Sequence, residues 1–398
     1  MRFALLGDHR DGLDLAEALV ATGRHELRLY SGPAAGLARL QHLGLAPRLV
    51  MDLEDVLADP DVDGVIVASS LAVRAAQLRR ALQAECHVLC VHPADPSPDV
   101  AYEAALIQAD TGRVLLPLLP AALHPGFVRA KELVHAHRPH LLELELWSTE
   151  EILLEPDVKG CKPGLPGWEV LRTVGGEIAE VYLQAAQTEV LPRQPLVLSG
   201  RFLTGMLFQA TYLPNQSEAR WRLSLVTTTG RPTLLFAEGW PGPALWTFID
   251  DGGQNRTEAF EPFHPWAGLI GRFEQAVQLA SVKKRQVGLP AEECVTKPPG
   301  ILGWQDELRA MELDEAARRS AERGRSSSLD LQETNEEASF KGTMTLVGCS
   351  LIWLAVIALI LSAWQPWLAW LILPLFAVFL GLQALRWVLP AQEKPTEE

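Results

Sequence analysis

The sequence predicts an α/β body with a membrane-spanning tail, and three observations carry that reading. Over residues 2–118 short apolar runs alternate with helical stretches, which implies a doubly wound parallel sheet. From residue 141 the run Leu-Leu-Glu-Leu-Glu-Leu-Trp alternates, as a strand with one wet face does. It opens an α+β domain with an open antiparallel sheet. Residues 342–385 hold no Asp, Glu, Lys or Arg, and a run that long suits two C-terminal transmembrane helices.

The elements follow in order. Strands are expected at 3–6, 27–30, 65–68, 87–91 and 114–118. The third of these, Val-Ile-Val-Ala, is rich in β-branched residues and reads as buried on both faces. Helices are expected at 12–22, 53–57, 72–84 and 100–110. In the second region helices are expected at 127–136, 168–174, 268–279 and 306–323, the second closed by Gly175-Gly176. Strands there are expected at 141–147, 181–187, 205–212, 220–227 and 233–238, separated by turn residues. The implied domains are 1–120, 121–325, a polar acidic tether at 326–342, a membrane hairpin at 343–388 and a tail at 389–398.

The composition narrows the function. The chain has 398 residues, 48% of them hydrophobic, so most of it has the apolar residues a core needs. A net charge of -14 argues against a nucleic-acid partner. The cysteines Cys86, Cys90, Cys161, Cys294 and Cys349 are scattered without metal-ligand spacing, and no disulfide framework is visible. No metal site is expected: the histidines are dispersed and no His-Glu-x-x-His arrangement occurs. The start of the chain lacks the pattern of a secretory signal, because Gly7-Asp8-His9-Arg10-Asp11 interrupts the first apolar run.

In the tail, segments 345–363 and 367–387 each have the length of a bilayer span, and Gln365-Pro366 divides them. Trp364, Trp367 and Trp370 cluster at the turn and Trp387 marks the other end, as an aromatic belt would. Lys341, Arg386 and Lys394 flank the pair, whereas the turn carries no cation. The positive-inside rule then leaves both termini and the body on the cytoplasmic side of a membrane. No ionisable residue sits mid-span, so an anchor is expected rather than a transport path.

Chemistry is sought at the first turn. A dinucleotide turn needs three small residues, for the bend, for phosphate approach and for helix packing. Gly7 and Gly12 hold the first and third places, and His9 holds the second. Asp8 and Asp11 add negative charge beside an anion site. At the end of the second strand Tyr30-Ser31 stands where a ribose-binding acid is usual. Tyr30 has two readings, stacking on adenine or packing. Ser31 is at most a weak hydroxyl partner. Ser69 and Ser70 follow the third long strand, either as cofactor contacts or as helix caps.

Four segments resemble the Gfo/Idh/MocA oxidoreductases (glucose-fructose oxidoreductase, inositol dehydrogenase and relatives). They are Phe3-Ala4-Leu5-Leu6-Gly7 with Gly12, the run from Asp61 to Ala68, His87-Val88-Leu89-Cys90-Val91-His92-Pro93, and the helix from Trp304 to Arg325. The resemblance spans about residues 2–330 and implies a Rossmann domain, an open sheet domain and a closing helix. It also implies NAD or NADP as cofactor, a sugar or cyclitol-like alcohol as substrate, and a homo-oligomer through the open sheet.

Residue by residue the likeness is uneven. The family's Glu-Lys-Pro motif falls on Val91-His92-Pro93, so His92 replaces its lysine and Pro93 matches its proline. A histidine there has the chemistry of a general acid or base. The family's His and Asp pair in the second domain falls on Pro166 and Glu169. His124, before Pro125, is a further candidate for the cleft. Two functions therefore compete: a membrane-anchored oxidoreductase with His92 and Glu169 as catalytic groups, or a catalytically silent relative that binds at the membrane face.

Overall fold

The structure, a computed structural model, describes residues 1–149, 164–185, 194–228, 230–249, 253–285 and 303–329. The first layer is built from β1 (Arg2–Leu6), α1 (Arg10–Ala21), β2 (Glu26–Ser31), α2 (Ala34–His42), β3 (Arg48–Leu49) and α3 (Leu53–Leu57). It continues through β4 (Gly64–Val67), α4 (Leu71–Gln83), β5 (His87–Val91), α5 (Pro98–Thr111) and β6 (Leu115–Leu118). The six strands are parallel, in the order β3-β2-β1-β4-β5-β6. β4 and β5 are buried at every position, which is why their sequences are continuous apolar runs rather than alternating ones. Helix ends carry their usual signals. Ser97 caps α5 by accepting from the Asp99 N–H, Pro98 starts it, and Gly112 ends it in the left-handed region.

The chain then passes a short 3-10 turn (Pro120–Leu123) into α6 (Pro125–His137), β7 (Leu141–Trp147), α7 (Trp168–Gly175), β8 (Ile178–Ala185), β9 (Leu196–Phe202) and β10 (Leu207–Leu213). β11 (Arg220–Val226), β12 (Thr233–Phe236), β13 (Ala244–Ile249) and β14 (Asn255–Phe260) complete most of the second sheet. α8 (Trp266–Arg285), α9 (Trp304–Arg323) and β15 (Ser327–Ser328) follow. The sheet order is β14-β13-β12-β11-β7-β10-β9-β8-β15. Leu142, Leu144 and Leu146 of β7 are buried against α6 and α7 with Phe127 and Trp168. Each such leucine contributes about 2 kcal/mol of apolar burial. Glu143 and Glu145 point to the opposite face and pair with Arg231 and Arg222.

α9 joins the two layers. Trp304, Leu308 and Met311 pack in the core of the parallel sheet with α4 and α5. Ala310, Leu313 and Ala317 pack in the core of the second sheet. At 100° per residue these are two different stripes of one helix, and Glu307, Asp314 and Arg318 fall on the stripe between them. That seam is where the polar groups of the site meet. α8 covers the other face of the parallel sheet, with Leu269, Ile270 and Phe273 against Phe3 and Leu5.

Several expectations are corrected. The second sheet is mixed: β10 pairs with β7 in parallel, and the remaining strand pairs are antiparallel. α2, β3, β9, β13 and β14 were not among the expected elements. In β9, Gly200 leaves room for the neighbouring strand, since a Cβ there would meet the Glu180 carbonyl oxygen at 2.2 Å. The strand expected from 205 starts at Leu207, because Gly205, at φ +88, forms the hairpin turn after β9. The first tether residues are ordered: Ser327 and Ser328 pair with β8, and the Leu329 N–H donates to the Ala179 carbonyl. The membrane hairpin at 343–388 lies outside the described residues. Among the described residues no helix is long and apolar enough to cross a membrane.

Candidate functional site

The C-terminal ends of β1, β4 and β5 lie side by side at the centre of the parallel sheet, where the strand order reverses direction. In doubly wound sheets this is where a crevice forms. Gly7 leaves β1 at φ +93, and its N–H donates to the Ser31 carbonyl at 2.7 Å. A Cβ on Gly7 would lie 2.3 Å from the backbone of Ser69, and one on Gly12 would lie 2.2 Å from the Cβ of Ala68. Both glycines are thus required for α1 to pack on β4. His9 caps α1: its Nδ1 accepts from the Asp11 N–H at 3.2 Å, and its own N–H donates to the Ala68 carbonyl at 2.9 Å. The imidazole is half-buried at the helix N-terminus that favours anions. Burial raises the Asp11 carboxyl above its ordinary range, with His9 opposing that shift.

Tyr30 is packed inside the first domain. It is fully buried, its hydroxyl donates to the Pro33 carbonyl at 2.9 Å, and Gly32 and Gly36 pack against the ring. Burial, with the negative charge of Asp8, pushes its pKa up to about 12. These contacts fit the packing reading. Ser31 stays half-buried at the end of β2. Ser69 is buried, whereas Ser70 is exposed at the N-cap of α4 and makes no side-chain cap bond. Neither serine is the ordinary side-chain cap of that helix.

A residue that the sequence reading passed over ties this edge together. Arg74 of α4 is fully buried. Its guanidinium donates to the Ser69 carbonyl from Nε at 3.0 Å and from Nη2 at 2.7 Å, and to the Pro93 carbonyl from Nη1 at 2.6 Å. It therefore locks the loop after β4 to the loop after β5.

His92 follows β5, and its bond to Pro93 is cis. Its Nδ1 lies 2.7 Å from Oε2 of Glu307, a carboxylate of α9 with 0% exposure. The Ala94 N–H donates to the other oxygen, Oε1, at 2.8 Å. Burial opposes protonation of His92, but the carboxylates of Glu307, Glu169 and Asp314 outweigh it and the imidazole pKa is raised. Glu169 sits in the first turn of α7, where burial raises its pKa and His92 pulls against the shift. Asp314 accepts from the Leu165 N–H at 2.7 Å and pairs with Arg318 at 2.9 Å. A small pocket is lined by His92, Pro93, Asp95, Trp168, Met311 and Asp314. The structure thus brings His92 and Glu169 to one place and adds Glu307 and Asp314. Those two, seven residues apart, look in sequence like a wet stripe of a charged helix; only the seam between two cores makes them buried.

His124 is not in the cleft. It is fully buried in the second domain, where its Nδ1 accepts from the Gly126 N–H at 3.0 Å. The rings of Phe127, Phe236, Trp240, Phe260 and Phe263 surround it edge to face. Its Nε2 has no hydrogen-bond partner. Desolvation pushes its pKa down to about 4. Among the described residues no group of acidic, histidine or cysteine side chains is arranged to hold a metal.

Residues 28–117 match the model of the GFO_IDH_MocA oxidoreductase family, NAD-binding Rossmann fold. A curated relative, an uncharacterized oxidoreductase YrbE of Bacillus subtilis (strain 168), is 30% identical over 150 residues. That match takes in 35% of this chain and 43% of the relative, so the chain matches under half of its length. Levoglucosan dehydrogenase, solved with NADH and levoglucosan, superposes with a TM-score of 0.65 at 13% identity, over 83% of this chain and 100% of that one. The aldose-aldose oxidoreductase of Caulobacter crescentus, complexed with glycerol, gives 0.63 at 18% identity, over 83% and 99%. These likenesses support the Gfo/Idh/MocA fold, with a Rossmann domain of its NAD-binding type.

Proposed function

We propose that this chain is an NAD(P)-linked oxidoreductase of Gfo/Idh/MocA type, acting on the alcohol of a sugar- or cyclitol-like substrate and held at a membrane by residues 343–388. The observation that carries the reading is His92 at the end of β5, beside the crevice and hydrogen-bonded to buried Glu307. It is an acid-base group with a fixed orientation, set where the family carries its lysine.

The crevice fits a dinucleotide in its backbone. Gly7 and Gly12 present no side chain, and Ser69, Ser70 and Pro93 line the same edge. His9 is the departure, since its imidazole occupies the phosphate end. Residues of the first turn and Ser31 would hold the pyrophosphate and ribose, and a bound nicotinamide would supply hydride acceptance. His92 takes the proton that the alcohol oxygen loses as hydride leaves carbon, and returns it in the reverse direction. Glu169 and Glu307 stabilise the imidazolium so formed.

Replacing His92 by Asn tests the assignment. Turnover against a panel of polyols falls by about 100-fold or more while NADH affinity holds. Unchanged turnover removes His92 from the chemistry. A second reading, a binding protein without turnover, is favoured by His9 capping α1 where phosphate would sit, with Asp8 and Asp11 beside it. The two part company on whether any polyol is oxidised. Membrane attachment is supported by the uncharged run at 342–385. The expected result is that the full chain stays with the membrane pellet in alkaline carbonate; release into the supernatant would refute it.

A further inference from the structure

We infer that Glu307 is a positioning residue of this site: it holds His92 through the Nδ1–H and leaves Nε2 as the ring nitrogen that exchanges a proton. The geometry favours one tautomer. An ionised carboxylate only accepts hydrogen bonds. Oε1 of Glu307 takes the Ala94 N–H at 2.8 Å, and Oε2 lies 2.7 Å from His92 Nδ1, so the hydrogen belongs to Nδ1. Glu307 has no exposure to water, so nothing competes for its second oxygen. With Nδ1 so engaged, Nε2 is a base when the ring is neutral and an acid when it is charged.

The device spans the fold. His92 belongs to the parallel sheet, whereas Glu307 comes from the helix wedged between both cores. Other charged groups also face His92: Asp314 and Arg318 from α9, Glu169 from α7, Asp95 from its own loop, and Arg74 from α4 through the Pro93 carbonyl. The acidic groups of α7 and α9 raise the imidazole pKa against burial. That Nε2 meets substrate rests on the oxidoreductase reading; the bond to Glu307 does not.

The test is hydrogen exchange at the histidine C2 position, read peptide by peptide by mass spectrometry on the full chain in detergent. It gives a titration midpoint for each histidine without any turnover. In the parent, His92 is expected to titrate above the ordinary histidine value of roughly 6.5. In Glu307→Gln the retained Ala94 bond turns the amide NH2 toward Nδ1, and the His92 midpoint falls by about one unit or more. Glu307→Asp, which keeps the charge, restores at least half of that drop. NADH affinity stays within about threefold in both variants. A parent midpoint for His92 at or below roughly 6.5 overturns the inference, and it needs no variant to fold. So does a Glu307→Gln midpoint equal to the parent's. If the midpoints shift as stated but no nicotinamide cofactor binds, the positioning bond stands and the oxidoreductase reading falls.

Discussion

Acid should unfold this protein through its buried histidines, and His124 allows the effect to be worked through. Its imidazole sits in a ring of five aromatic side chains at centroid distances from 4.9 to 5.6 Å, with Nδ1 committed to the Gly126 N–H. Desolvation holds its folded pKa at about 4, against roughly 6.5 in the unfolded chain. Between those values the unfolded state binds more protons, so stability falls as pH drops. The contribution is fully present above about pH 6.5, and roughly 2 kcal/mol of it is lost between pH 7 and pH 5. His124→Asn keeps an acceptor for the Gly126 N–H but cannot titrate. It costs roughly 3 kcal/mol at pH 7 through lost ring packing, yet its loss between pH 7 and pH 5 should be shallower than the parent's by about 2 kcal/mol. Chemical denaturation at both pH values, followed by tryptophan fluorescence, measures the difference. Equal losses in parent and variant would refute the argument.

Further outcomes follow from the same geometry. His87, which accepts from the Val114 N–H and is pushed down to about 4 by burial and then by Arg113, should add a similar acid sensitivity, removed in His87→Asn. Arg74→Met leaves the Ser69 and Pro93 carbonyls without their donor and should cost about 2–4 kcal/mol in denaturation, with a larger loss of NADH affinity than of secondary structure. His9→Gly clears the phosphate end of the crevice, and NADH titration should then show about tenfold tighter binding. Gly12→Ala puts a methyl 2.2 Å from the Cβ of Ala68 and should lower the melting temperature by several degrees.

The parallel sheet was legible because its central strands are buried on both faces and so read as unbroken apolar runs. Val65-Ile66-Val67, three β-branched residues in a row, reads as a strand buried on both faces. The second sheet was legible only where one face is wet. β7 alternates Leu and Glu, but β14 is exposed along nearly its whole length and carries no apolar period to see. The parallel pairing of β10 with β7 is set by which strands share a core, which no local pattern encodes. At the site, the glycines announced the turn through their spacing. Glu307 did not announce itself, because a buried carboxylate in an amphipathic helix has the same letters as a solvated one. Arg74 was hidden for the same reason: its burial depends on two carbonyls from the loops after β4 and β5.

On the proposed function, the crevice above β1, β4 and β5 holds a nicotinamide dinucleotide. Titration of the full chain with NADH and NADPH, read by energy transfer from tryptophan, tests it most directly. Binding tighter than about 100 μM for one of them is expected, about 5.5 kcal/mol of affinity, strengthened in His9→Gly and abolished in Gly7→Asp. No binding of either cofactor at about 1 mM, in the parent and in His9→Gly alike, would contradict it.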